Sequence, residues 1–246
     1  MTAAARRTVA IIQARLGSTR LPGKVLMEGV SGRSLLELML ERVRACRTLD
    51  AVVVAAPDLP ADDAVAAQAQ RGGAQVFRGS EADVLSRYVG AAAAFQAELV
   101  VRLTSDCPLM DPAVVDLHVA RMIEHWQDAD FVTNMVQQTY PLGLAVEAMP
   151  ADTLRRMDRL STKPYLREHV TTIAYEKPEW FLVEHVRDTV DRSQMRWTVD
   201  YREDLEFVRA VFAALYKPGR IFSFADILDL VTHRPELAAL NAHAGK

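Results

Sequence analysis

Apolar residues along this chain fall into two patterns. Strands are predicted over residues 8–13, 51–56, 74–77 and 99–103, and continuous apolar runs such as 51–56 suit strands that are covered on both faces. Between them the spacing is helical over 34–47 and 61–70, from a cap at Ser80 and Asp83 to Phe95, and again from Pro112, a favoured first helical position. Ser34 and Glu37 stand at capping-box spacing, which fixes where the first helix starts. Strand and helix thus alternate. Such alternation predicts a doubly wound α/β fold with a mostly parallel sheet, because parallel neighbours need crossover connections, nearly always right-handed.

After Phe131 the pattern loosens. Strands are predicted at 144–148, 180–186 and 196–199, and helices at 164–175, 202–216 and 224–232. Antiparallel pieces are expected here, so the sheet is mixed. With no low-complexity linker or internal repeat, residues 1–246 read as one domain, with a first half over about 8–130 and an elaborated second half over about 131–246.

Composition narrows the class. A chain of 246 residues can bury roughly 70% of its unfolded surface, and its balance of apolar and charged residues is that of a soluble globular protein. A net charge of −3 argues against a nucleic-acid partner, which calls for a basic face. The apolar stretch after the arginines of Met1 to Arg7 is interrupted at Gln13 and Arg15, so neither a signal peptide nor a membrane span is expected. The two cysteines, Cys46 and Cys107, provide neither a disulfide framework nor a zinc cluster, and a reducing cytoplasm is the natural setting.

Ligands of open α/β sheets bind beyond the carboxyl ends of the parallel strands, so the loops that follow the strands carry the candidate chemistry. The first, Ala14-Arg15-Leu16-Gly17-Ser18-Thr19-Arg20-Leu21-Pro22-Gly23-Lys24, offers three cations, two glycines and two hydroxyls. Glycines let backbone N–H groups approach an anion, and Arg with Lys neutralises a triphosphate. It is not a Walker A loop: five residues separate Gly17 from Gly23, and Val25 follows Lys24. In the second loop, after Thr104, Asp106 stands where a strand-end carboxylate can hold Mg²⁺, an ion that needs only one or two carboxylates beside phosphate oxygens. Asp111, before Pro112, reads as a helix cap. Cys107 has no histidine neighbour to activate it and reads as a buried thiol. In the third segment Asp200 satisfies two readings equally, a helix cap or a second metal carboxylate. Asp204 reads as a first-turn acid.

Six stretches now share one likeness. IIQARLGSTRLPGKVL, VFRGSEADVLSRY, VVRLTSDCPLMDP, YPLGLAVEA, REHVT and WTVDYREDLEFV resemble, in order, cytidylyltransferases of the spore-coat polysaccharide biosynthesis protein F type, related to CMP-KDO and CMP-sialate synthetases. The resemblance spans about residues 9 to 211. It implies a nucleotide-diphospho-sugar transferase-like fold, a nucleotide half followed by an acceptor and dimerisation half, and transfer of CMP from CTP to a sugar acid or related acceptor in surface polysaccharide or glycoconjugate synthesis. It places Arg15 and Lys24 on the CTP phosphates, with Ala14, Leu16, Gly17, Ser18 and Arg20 in the same loop and Thr104 beside Asp106. Asp106 and Asp200 would hold Mg²⁺. Arg78, Gly79 and Ser80 would lie near the base and ribose, and Glu147, Arg167 and His169 would face the acceptor. It also implies a homodimer.

Two departures touch the acceptor: Ser105 stands where relatives commonly have Gly, and Ala145 where many have Asp. Two competing readings make different predictions. A nucleotide-sugar-dependent glycosyltransferase would hydrolyse a donor sugar, and a non-catalytic nucleotide-binding homologue would bind CTP without turnover.

Overall fold

The computed structural model describes residues 6–244; residues 1–5, the start of the N-terminal stretch read above, and residues 245–246 lie outside the described residues. The central sheet has seven strands. Four of them, β1 (Thr8–Gln13), β4 (Ala51–Pro57), β5 (Gln75–Gly79) and β6 (Leu99–Thr104), pair in parallel in the order β5-β4-β1-β6. β8 (Glu147–Pro150) joins β6 antiparallel, β7 (Phe131–Thr133) follows antiparallel to β8, and β9 (Val183–His185) closes the edge parallel to β7. The sheet is therefore mostly parallel and mixed. A small hairpin, β2 (Glu28–Val30) and β3 (Arg33–Ser34), follows the first loop.

The continuous apolar runs are explained by what covers them. Val9 and Ile11 of β1 face one helical layer and Ala10 and Ile12 the other, and β4 divides the same way, with Val53 and Ala55 opposite Val52, Val54 and Ala56. One layer consists of α1 (Leu35–Val43), α2 (Asp63–Arg71), α4 (Pro112–Glu124), α8 (Arg202–Leu215), α9 (Phe224–His233) and α10 (Pro235–Ala239). The other has α3 (Val84–Ala94), α5 (Ala151–Leu160), α6 (Pro164–Glu168) and α7 (Thr172–Glu176). Burial on two faces leaves no polar alternation in the parallel strands.

The caps sit where the sequence puts them. Ser34 and Glu37 form a capping box on α1, Asp83 accepts from the Ser86 N–H, and Asp111 accepts from the N–H groups of Ala113 and Val114. Arg42 of α1, buried and with its ionisation pushed down to about 10 by that burial, donates to the carbonyls of Met110 and Phe222. That ties the loop after β6 to the last third of the chain.

The second half departs from expectation in three places. The predicted strand at 196–199 is an extended segment with a single bridge, Leu142 to Arg196, because its backbone bonds to two loops, Trp197 to Leu142 and Val199 to Asp106, instead of to a neighbouring strand. The predicted helix over 164–175 is two short helices, α6 and α7, broken at Val170, whose φ is 59°. The strand predicted at 144–148 begins only at Glu147. No helix among the described residues is long and apolar enough to cross a membrane.

Candidate active site

β1 and β6 are adjacent: from β1 the chain runs outward on one side to β4 and β5, then crosses back to β6 on the other side of β1. The loops after them therefore flank a topological switch point, where open α/β sheets bind ligands. A crevice of about 370 Å³ opens there.

The first loop is pinned before it reaches the crevice. The N–H of Ala14 donates to the Ala55 carbonyl, the N–H of Leu16 donates to the Asp62 carboxylate at 2.7 Å, and the N–H groups of Ser18 and Gly23 both donate to the Leu16 carbonyl. Gly23 takes φ 72°, a left-handed conformation that glycine adopts at little cost. The chain then enters a short 3₁₀ turn, Lys24–Leu26, that buries the Lys24 side chain.

Lys24 Nζ donates to the Val199 carbonyl at 2.6 Å, to Asp200 Oδ1 at 2.9 Å and to Asp106 Oδ2 at 3.3 Å. Two carboxylates that are 94 positions apart in sequence thus lie within reach of one ammonium. The backbone makes the same junction: the Val199 N–H donates to the Asp106 carbonyl at 2.8 Å, and the Thr198 hydroxyl donates to it at 3.1 Å. Asp106 is held from below by the Thr104 hydroxyl at 2.6 Å. Gly143, at φ 116°, lets its own loop pack closely on the peptide that joins Trp197 to Thr198: a Cβ there would lie 2.5 Å from the Thr198 nitrogen.

Asp200 sits in a ring of cations. Its Oδ1 also accepts from Arg20 at 2.8 Å, and its Oδ2 accepts from Arg196 at 3.0 Å. Burial pushes the Asp200 carboxyl up, but Lys24, then Arg20 and Arg196, outweigh it and hold the group below the ordinary carboxylate range. Behind it, the fully buried Asp204 accepts from Arg196 and from the N–H groups of Asp200 and Tyr201. Asp204 is therefore the cap and anchor of this corner, which leaves the Asp200 carboxylate to the cations of the crevice. Cys107 is buried, and burial followed by the neighbouring Asp106 carboxylate pushes its thiol up, away from nucleophilic use.

The crevice wall includes Ala14, Arg15, Ser18, Arg20, Lys24, Thr104, Asp106 and His169 from the sequence-predicted set. Arg15 is half-exposed, and its nearest carboxylate is Glu168 at 3.9 Å. Leu16 and Gly17 shape the loop without lining the cavity. Arg78 donates to the Pro57 and Leu59 carbonyls and to Asp63, fastening the end of β5 to the turn beyond β4. Next to it, the Gly79 carbonyl accepts from the Asp58 N–H, and Ser80 accepts from the Asp83 N–H and, through its carbonyl, from Arg87. Glu147 is buried beneath the crevice, where it pairs with Arg102 and accepts from Thr171 at 2.9 Å and from Tyr175. Arg167 staples α6 to Asp83 at 2.6 Å and Asp158 at 2.7 Å. These three stretches support the walls and do not line the crevice.

Several wall residues were not singled out from sequence: Gln13, Val84, Arg87 and Arg102. Arg102 is a lone charge inside an apolar strand and Arg87 a lone charge on a buried helix face. Those were the available signals.

The sequence profile of cytidylyltransferases matches residues 9–223. The chain is 32% identical over 235 residues to the spore coat polysaccharide biosynthesis protein SpsF of Bacillus subtilis, covering 93% of this chain and 95% of that protein. Its fold matches the structure of a cytidylyltransferase from Leptospira borgpetersenii at a TM-score of 0.91 and 32% identity, over 95% of this chain and 97% of the other. At 19% identity it shares the fold of a CMP:2-keto-3-deoxy-manno-octonic acid synthetase solved with CTP, with a TM-score of 0.67 over 85% of this chain and 99% of that one.

Proposed function

The chain belongs to the cytidylyltransferase family, and on that footing we propose that it transfers CMP from CTP to a sugar acid or a related acceptor, releasing pyrophosphate, in the synthesis of a surface polysaccharide. The observation that carries this reading is the convergence on Lys24: one buried ammonium reaches Asp106, which lines the crevice with Arg15 and Arg20, and the buried Asp200, which does not line it but pairs with Lys24 beside it. In the proposed reaction an acceptor oxygen forms a bond to the α-phosphorus of CTP as the bond to the β-phosphate oxygen breaks. Pyrophosphate leaves with the electrons of the broken P–O bond, and the acceptor hydroxyl gives up its proton to water.

Arg15 and Lys24 meet the charge that builds up on the departing phosphates. Positive groups already fixed in place stabilise such charge without reorganisation. Thr104 orients Asp106, and Asp204 with Arg196 orients Asp200.

The donor set also fits a divalent cation. Two carboxylates sharing one ammonium are close enough to share one ion, and Mg²⁺ completes its six oxygens with phosphate and water. Among the described residues no group of three or more His, Cys, Asp or Glu could hold a metal alone, so the ion is expected to arrive with the triphosphate. Bound there, it would neutralise phosphate charge and polarise the α-phosphate.

The test crosses CTP, UTP, ATP and GTP with a panel of sugar acids, sugar phosphates and phosphonates, reading pyrophosphate release. Release confined to CTP with an acidic sugar is expected. CTP binding without release from any pair would favour a non-catalytic homologue, and hydrolysis of a nucleotide sugar would favour a glycosyltransferase.

A further inference from the structure

Five cations line the crevice, and their counter-charges are unequal. Lys24 and Arg20 are paired with the two aspartates, Arg102 is paired with Glu147, and Arg15 has Glu168 at 3.9 Å. Arg87 has no carboxylate within 4.0 Å among the described residues. Yet it is the most deeply buried of the five, at 2% exposure. Its Nη1 donates to the Ser80 carbonyl at 2.6 Å, and its Nε is buried without a partner. Burial pushes its ionisation down, and Arg15 adds to that push; Asp62 and Glu81 act on it only from beyond contact range, and Asp62 already accepts from the Leu16 N–H.

A guanidinium removed from water with neither an acid nor a full set of acceptors is an expensive arrangement, and buried charges are ordinarily paired. The surroundings nevertheless hold it there. Arg87 lies on α3 next to Tyr88, whose buried hydroxyl accepts from the Gln13 N–H and donates to the Leu103 carbonyl, locking the helix to β1 and β6. Gly79 leaves space for the arginine stem, since a Cβ there would lie 3.2 Å from Arg87 Cγ. The side chain is therefore rigid, cationic and on the crevice wall.

We propose that Arg87 is a substrate-binding residue whose missing counter-charge is supplied by an anionic oxygen, phosphate or carboxylate, of the molecule in the crevice. The inference rests on the cytidylyltransferase reading only for which molecule that is: a phosphate of CTP, or the carboxylate of the acceptor. It separates Arg87 from Lys24 and Arg20, which have carboxylate partners within the chain.

The test uses the full chain with Arg87→Met, similar in length and uncharged, and Arg87→Lys, which keeps the charge. Apo melting temperature is measured first; then binding of CTP with Mg²⁺, of inorganic pyrophosphate and of cytidine; then KM for whichever acceptor supports pyrophosphate release. Arg87→Met is expected to melt no lower than wild type, because an uncompensated charge has been removed. It is also expected to lose at least tenfold in affinity for CTP and pyrophosphate while binding cytidine as before, with Arg87→Lys recovering part of the loss. Unchanged CTP binding with a tenfold higher acceptor KM would assign the acceptor carboxylate instead. A lower melting temperature with every affinity intact would overturn the proposal, since Arg87 would then be structural. If wild type failed to bind CTP, the cytidylyltransferase reading would fall, and Arg87 would be judged on pyrophosphate alone.

Discussion

Lys24 and Asp200 form a pair at 2.9 Å in which both side chains are about nine-tenths shielded from solvent. The same ammonium touches Asp106, so removing it does more than delete a proposed phosphate ligand. In Lys24→Ala the carboxylates lose their shared donor, although Arg20 and Arg196 still hold Asp200. A loss of about 1–3 kcal/mol is expected, the usual cost of leaving a buried polar group unsatisfied. Urea denaturation measures it, and turnover should be lost under conditions where the variant is fully folded.

The acid side of the stability curve carries the signature of Asp200. Its folded carboxyl lies below the ordinary value, so its contribution is fully present above the unfolded pKa of about 4 and disappears as pH falls through the folded value. The gap in melting temperature between wild type and Asp200→Asn should be wide at pH 7 and close below about pH 4. A constant gap across that range would contradict the assignment.

Metal dependence should be conditional. With no self-sufficient cluster among the described residues, Mg²⁺ alone is expected to leave the melting temperature unchanged and CTP with Mg²⁺ to raise it. EDTA should abolish pyrophosphate release. In Asp106→Asn, CTP stabilisation should no longer depend on added Mg²⁺.

Glu147 is expected to act on stability before it acts on the acceptor. Glu147→Gln leaves Arg102, only 15% exposed in its side chain, without its carboxylate partner. Breaking a buried pair from one side costs about 3–5 kcal/mol. Denaturant midpoints test this, and an unchanged midpoint would show that the pair is not structural.

The first half of the fold was legible because burial on two faces produces apolar runs, and because Ser34, Asp83 and Asp111 are caps whose side chains accept from backbone N–H groups three or fewer residues on. The hairpin at Glu28–Val30 and Arg33–Ser34 and the strand Phe131–Thr133 are too short to create a period. Residues 196–199 alternate polar and apolar like a strand in sequence, but Trp197, Thr198 and Val199 are all buried, and the partners that order them are Leu142 and the Asp106 loop, tertiary contacts no local pattern encodes. Likewise, the break at Val170 places a β-branched residue in the left-handed region. It lets Thr171 reach Glu147. At the site, strand-end acids and loop cations announced themselves by position. Arg87 and Arg102 did not, because each sits in an apolar element whose periodicity says only that it is buried.

In the proposed complex the triphosphate is held by Arg15 and Lys24 together with a cation on Asp106 and Asp200. Calorimetric titration of CTP in excess Mg²⁺ into wild type and Arg15→Ala tests it without knowledge of the acceptor. Arg15 is half-exposed with one distant carboxylate, so the variant should melt like wild type. Fixed positive charge at such a site is worth about 3–4 kcal/mol, or roughly 10²–10³ in rate, in the transition state, and part of that is expected to appear as weaker binding, at least tenfold. One-site binding by wild type with that loss in Arg15→Ala is the predicted result; equal affinity in the two proteins would contradict it.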